Sequence, residues 1–99
     1  MKKMLDNEIE QEIINLAEKY NLEEVILFGS RADGTAHEKS DIDIAVKGYH
    51  SDTERFDFED DIWKIPTLLM FDIVDLDSYM VDESLRKDVA EKGIVLWKR

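Results

Sequence analysis

The stretch from Leu27 to Val46, LFGSRADGTAHEKSDIDIAV, constrains the fold of this chain more than any other. A β-type apolar run, Val25-Ile26-Leu27-Phe28, stops at Gly29-Ser30, and ten residues later the chain returns with Asp41-x-Asp43. Strands alternate their side chains, so in DIDIAV the two acids share one face and Ile42, Ile44 and Val46 the other. A rise of about 3.3 Å per residue puts the carboxylates roughly 6.6 Å apart along the strand. Their repulsion raises one pKa and weakens the strand unless a cation offsets it. The separation suits one shared cation, or two that lie about 3.5–4 Å apart. Hard oxygen donors and an absence of cysteine select Mg²⁺ or Mn²⁺ over zinc. Taken alone, the pair fits a strand edge facing water better.

Gly29-Ser30 supplies a second element. A buried strand that ends in glycine and feeds a short helix leaves main-chain N–H groups pointing outward, where the helix dipole favours an anion. Glycine lets a phosphate approach the backbone, and the Ser30 hydroxyl can donate to it. An ordinary strand-to-helix turn with a serine cap is the competing reading of the same two residues.

Around this centre the periodicity predicts the order αβαβαβαβ. Asn7 with Glu10 resembles a capping box, and Ile9, Ile13, Leu16, Ala17 and Tyr20 recur at helical spacing until Asn21. Val25–Phe28, apolar throughout, fits a central strand covered on both faces. A short helix follows from residue 30 and closes at Gly34. After DIDIAV and Gly48, Asp52 or Thr53 caps a third helix with Phe58, Ile62 and Ile65 inward and Pro66 at its end. Phe56 and Trp63 are assigned with Phe58 to the core, and DFEDD at 57–61 to a solvated face. TLLMFDIVDL reads as the third strand. Asp82 or Ser84 opens a fourth helix, with Leu85, Val89 and Ala90 inward and Gly93 as its cap, and IVLW is a last short strand. The whole is an α+β (α/β-like) unit, a mixed sheet flanked by about four helices. Its 99 residues make one domain, 1–99.

Composition narrows the setting. The formal net charge of −11 repels phosphate backbones, which argues against freestanding nucleic-acid binding and allows a basic protein partner. No cysteine means no disulfide, and the cell interior, hence a cytoplasmic location, is the expected compartment. In MKKMLDNEIEQE, acids stand where a signal peptide needs its apolar stretch, and no run is long enough for a membrane span. His37 and His50 fall in loops without ligand-spaced partners.

Together, Gly29-Ser30, ten residues and Asp41-x-Asp43 resemble the GS-x10-DxD signature of the DNA polymerase β-type nucleotidyltransferases. LFGSRADG with SDIDIAV is similar, more narrowly, to the minimal nucleotidyltransferases of MNT antitoxin type, and the likeness extends through FDIVD to EKGIVLW. The resemblance implies a third carboxylate on a neighbouring strand. Asp72 is its match, with Asp75, of opposite parity, ranked second. It implies catalysis by Asp41, Asp43 and Asp72 with two Mg²⁺ ions on ATP, and phosphate held by Gly29, Ser30 and, if it is not in a surface ion pair, Arg31. It further implies transfer of AMP to a tyrosine of an all-helical HEPN ribonuclease toxin, in a hetero-oligomer of toxin and antitoxin. Larger relatives build the acceptor site with an added helical domain, for which no residues remain here. Asp33 departs from the family, which often has a basic residue there. That departure favours the alternatives: an antitoxin that acts by contact, or a nucleotide sensor.

Overall fold

The computed structural model describes residues 3–99; Met1 and Lys2, the basic start of the opening segment, lie outside them. The elements are α1 (Asn7–Lys19), β1 (Glu24–Phe28), α2 (Ser30–Asp33), β2 (Ile42–Lys47), α3 (Asp52–Trp63), β3 (Phe71–Asp75), α4 (Glu83–Lys92) and β4 (Ile94–Lys98). The αβαβαβαβ order read from the sequence is therefore observed. The four strands form one mixed sheet in the order β3-β2-β1-β4, with β1 antiparallel to both neighbours and β2 parallel to β3.

The apolar run of β1 is explained by its place. It lies inside the sheet and both its faces are covered. Val25 and Leu27 join Ile13, Ala17, Ile42, Ile44, Phe58 and Ile62 in the core beneath α1 and α3. Ile26 and Phe28 join Ala45, Leu76 and Val89 in a smaller cluster beneath α4. Helices thus cover both faces of the sheet, two on one side and α4 on the other. Phe58 is fully buried and meets Tyr20 and Tyr49 edge-on, each ring centroid 5.9 Å away.

Local chemistry fixes the helix ends, in places one residue from expectation. Asp6, not Asn7, caps α1, accepting from the N–H of Glu8 at 2.8 Å and of Ile9 at 3.3 Å. Ser51, not Asp52 or Thr53, caps α3 through the Glu54 N–H. Asp82 caps α4 as expected, Gly93 follows it, and Gly34 closes α2 in the left-handed region at φ 86°. Asp61, assigned to a solvated face, instead accepts from the Tyr20 hydroxyl at 2.5 Å and from Lys19 at 3.2 Å, which ties α3 to α1.

Three expectations are corrected. The third strand does not span TLLMFDIVDL: Thr67–Met70 is a loop, in which the Thr67 hydroxyl accepts from the Leu69 N–H and Leu68 is fully exposed. Apolar character alone does not distinguish strand from loop where Pro66 has just ended a helix. Phe56 and Trp63 are not core residues, since the face of α3 that carries Phe58 and Ile62 turns them outward. Ala90 is likewise exposed, leaving Val89 as the buried contact of α4. Among the described residues, no helix is long and apolar enough to cross a membrane.

Candidate active site

The site lies at one end of the sheet, where β1 finishes and β2 and β3 begin. Asp43 is the Cα partner of Phe28 on β1 and of Asp72 on β3. Partners in register share a face, so Asp43 and Asp72 emerge side by side, on the face that carries Phe28. Asp41 lies one residue before β2, exposed and outside the ladder. Asp72 is also exposed, because β3 is an edge strand, so its charge stays in contact with solvent. Asp75 points to the opposite face at the far end of β3, where its carboxylate accepts from the Asp77 N–H.

Asp43 is the strained member. Half-buried, it has a pKa raised first by burial, then by Asp72, then by Asp41, and every one of these influences disfavours its charge. Beside it runs Gly29, at φ 72° and ψ −155°, a conformation open essentially only to glycine. A Cβ on Gly29 would lie 2.2 Å from Asp43 Oδ2. The turn and the carboxylate therefore fit together only because residue 29 has no side chain. Beyond Gly29, its carbonyl accepts from the N–H groups of Ala32 and Asp33. The N–H groups of Ser30 and Arg31 precede these first internal bonds and have no partner within the helix.

Among the described residues, no group of three His, Asp or Glu side chains forms a ready metal cage. The coupling of Asp43 to Asp72 and Asp41 still makes this end of the sheet a place of uncompensated negative charge. The two facts agree for Mg²⁺, which usually keeps several waters and takes only one or two carboxylates together with substrate phosphates. An all-oxygen donor set beside a charge with no cation against it among the described residues fits such an ion.

A folded pKa above the unfolded one means that the native state holds this proton more tightly. Stability is then lost as pH rises from the ordinary aspartate range through the raised value, and the full penalty stands at neutral pH. In EDTA at pH 7, Asp43→Asn should melt above wild type, with the gap shrinking as pH falls through the raised value and closed once pH is below about 4. Mg²⁺ at a hundred times its Kd should stabilise wild type by about 2.7 kcal/mol and leave the variant unmoved. Equal shifts in both would remove Asp43 from any metal site.

Arg31 is placed differently from the phosphate ligand expected of it. It is buried, and its guanidinium donates to four main-chain carbonyls: Met4 at 2.7 Å, Ser40 at 2.9 and 3.0 Å, Glu38 at 3.1 Å and His37 at 3.5 Å. The side chain is a clasp. It holds the loop that delivers Asp41 and pins the segment before α1, whose Met4 N–H also donates to the Arg31 carbonyl at 2.8 Å. Arg31→Met should destabilise the fold by at least about 2 kcal/mol, because the charged hydrogen bonds of a buried guanidinium are lost. At this chain length that lowers Tm by about 8–16 °C. Lysine should rescue little, lacking the planar fork. Denaturant unfolding with midpoints equal to wild type would show the clasp to be dispensable.

Asp33 does not face a ligand alone. Thr35 donates to it through its hydroxyl at 2.6 Å and its N–H at 3.0 Å, and these bonds hold the pKa below the usual range. Asp33 and Thr35 line a cavity of about 520 Å³ with Ala32, Glu91, Lys92, Gly93 and Ile94. The Gly29-Ser30 turn thus lies between the carboxylates and this cavity. Lys92, at the end of α4, is a cation the sequence reading missed. Only its place in the last helical turn beside Gly93 signals it, and nothing local joins it to Asp33.

A family model described as polymerase beta, nucleotidyltransferase matches residues 11–99. Among solved structures, a chain in a crystal structure of a toxin–antitoxin with AMP-PNP is 32% identical, covering 91% of this chain and 73% of that one, with a TM-score of 0.72. A mutant of the toxin–antitoxin MntA-HpeT, with two aspartates two positions apart changed to glutamate, is 30% identical over 91% of this chain and 73% of that one, at a TM-score of 0.71. A structure from Shewanella oneidensis, at 21% identity over 96% of this chain and 74% of that one, shares the fold with a TM-score of 0.67. A search of curated proteins finds no match.

Proposed function

The chain belongs to the polymerase beta nucleotidyltransferase family, and on that premise we propose that it is the antitoxin of a toxin–antitoxin pair, transferring AMP from ATP to a tyrosine of its partner. The observation that carries the reading is the pairing of Asp43 with Asp72 beside a glycine whose missing side chain makes room for a carboxylate. The toxin–antitoxin likeness, in one case with a nucleotide analogue, supports the partner and the nucleotide. A helical HEPN ribonuclease is the acceptor we propose, and the cytoplasm the setting.

In this reading Asp41, Asp43 and Asp72 would hold Mg²⁺ or Mn²⁺, two ions in the full complex. The metal would supply charge neutralisation on the triphosphate and on departing pyrophosphate. Main-chain N–H groups of the Gly29-Ser30 turn and the Ser30 hydroxyl hold phosphate oxygens, with Lys92 adding positive charge from the cavity side. The acceptor oxygen attacks the α-phosphorus, the bond to the bridging oxygen of the β-phosphate breaks, and pyrophosphate leaves. Asp72, exposed beside Asp43, takes the proton of the acceptor hydroxyl. Arg31 acts by positioning the Asp41 loop.

The experiment is intact mass of the partner after incubation with this chain, ATP and Mg²⁺. A gain of one AMP on tyrosine is expected. A complex that forms and protects cells without any mass gain would replace this reading with neutralisation by contact. One observation favours that second reading: a carboxylate, Asp33, borders the cavity beside the turn.

A further inference from the structure

We infer that the exposed apolar edge built by α3 and the segments flanking β3 docks the acceptor protein, and that it fits a partner whose apolar anchors are ringed by basic residues. The inference rests on the proposed transfer to a protein. Large apolar side chains exposed singly are ordinary, whereas a cluster is informative. Among the described residues, Phe56, Trp63, Leu68, Met70, Tyr79 and Met80 are such side chains on α3 or on the chain either side of β3, while the others, Met4 and Val95, lie apart before α1 and on β4. Leu68 and Tyr79 are almost wholly exposed, at 102% and 93%.

The patch reaches the carboxylates. Phe56 and Trp63, seven residues apart, share one face of α3. The Trp63 ring packs edge-on against Phe71 at 5.8 Å, and Phe71 immediately precedes Asp72. The Met70 carbonyl accepts the Ile42 N–H at 2.9 Å, which seats the 67–70 loop beside Asp41 and Asp43. A specific protein interface covers about 800 Å² on each partner, so a protein presenting a hydroxyl to Asp72 must also rest on neighbouring surface. The apolar edge is that surface.

Its charge selects the occupant. Asp57, Asp60, Asp41 and Asp72 stand exposed around it. The cations nearby are already engaged, Arg55 with Asp52 and Glu59, Lys64 with Asp60 and Asp61. A second copy would set this acidic rim against itself, each chain carrying −11. A phosphate-rich surface would be repelled for the same reason. A basic protein is drawn in, and its association is steered by charge.

The test uses the purified protein encoded beside this chain as the probe, with Kd measured by calorimetry. The double variant Phe56→Asp with Leu68→Asp should raise Kd at least about thirtyfold, the loss expected of interface anchors. Its melting temperature and its affinity for Mg²⁺–ATP should stay those of wild type. Val95→Asp, on β4 at the opposite edge of the sheet, should leave Kd unchanged. Asp57→Lys with Asp60→Lys should slow association about tenfold at low salt and flatten its salt dependence. Patch variants that bind the partner and transfer AMP to it as wild type does would overturn this surface and leave the proposed function standing. Self-association of the chain that the patch variants abolish would make the edge an interface between copies, and overturn the inference. Wild type that binds no partner at all would overturn the functional reading, and this surface with it.

Discussion

Asparagine at both Asp41 and Asp43 should reduce AMP transfer by at least about a thousandfold while leaving the fold and the complex with the partner intact. The size follows from what the carboxylates do. Charge compensation at a transferring phosphoryl group is worth several kcal/mol, and each 1.36 kcal/mol is about tenfold in rate. The fold should tolerate the change because asparagine keeps the shape of aspartate and removes the repulsion that Asp72 and Asp41 impose on half-buried Asp43. The complex should survive because the apolar anchors are untouched and Asp57, Asp60 and Asp72 keep the rim acidic. The measurement is intact mass of the partner beside protection of cells from its toxicity. Loss of the mass gain together with protection supports the enzyme. Protection retained by the double variant, with no mass gain from either protein, would leave a binding module.

The second large effect is expected at Gly29. Alanine there should destabilise the protein by about 1–3 kcal/mol through backbone strain alone, since φ 72° with ψ −155° suits only glycine. The added Cβ also meets Asp43 Oδ2 at 2.2 Å. That carboxylate must swing away, so binding of Mg²⁺–ATP should be lost even where the protein stays folded. The two causes separate in a double-mutant cycle. Asp43→Ala removes the overlapping atoms and leaves the strain, so Gly29→Ala should cost less stability in the Asp43→Ala background than in wild type. Strict additivity of the two unfolding free energies would mean that turn and carboxylate are not in contact.

What the sequence by itself determines is local. Alternation puts Asp43 on the face opposite Ile42, Ile44 and Val46, the unbroken apolar run of β1 requires cover on both sides, and helical spacing marks Ile13, Ala17, Phe58 and Ile62 as inward. Gly29 at the strand-to-helix turn is legible for the same reason, because its demand is on its own backbone. Periods of 2 and 3.6 residues report which side chains share a face. They do not report which strand lies beside which. Tertiary structure alone decides that β3 takes the edge, which exposes Asp72 and sets it in register with Asp43. It decides that Arg31 turns inward to four main-chain carbonyls, three in the loop that follows it and the fourth that of Met4, that Lys92 comes to the cavity where Asp33 stands, and that Phe56 and Trp63 find no third layer to bury them. Each of these depends on partners that the periodicity of the chain does not identify. An arginine, a tryptophan or an aspartate carries no mark of whether its partner is water, a carbonyl or another protein until the strands have paired.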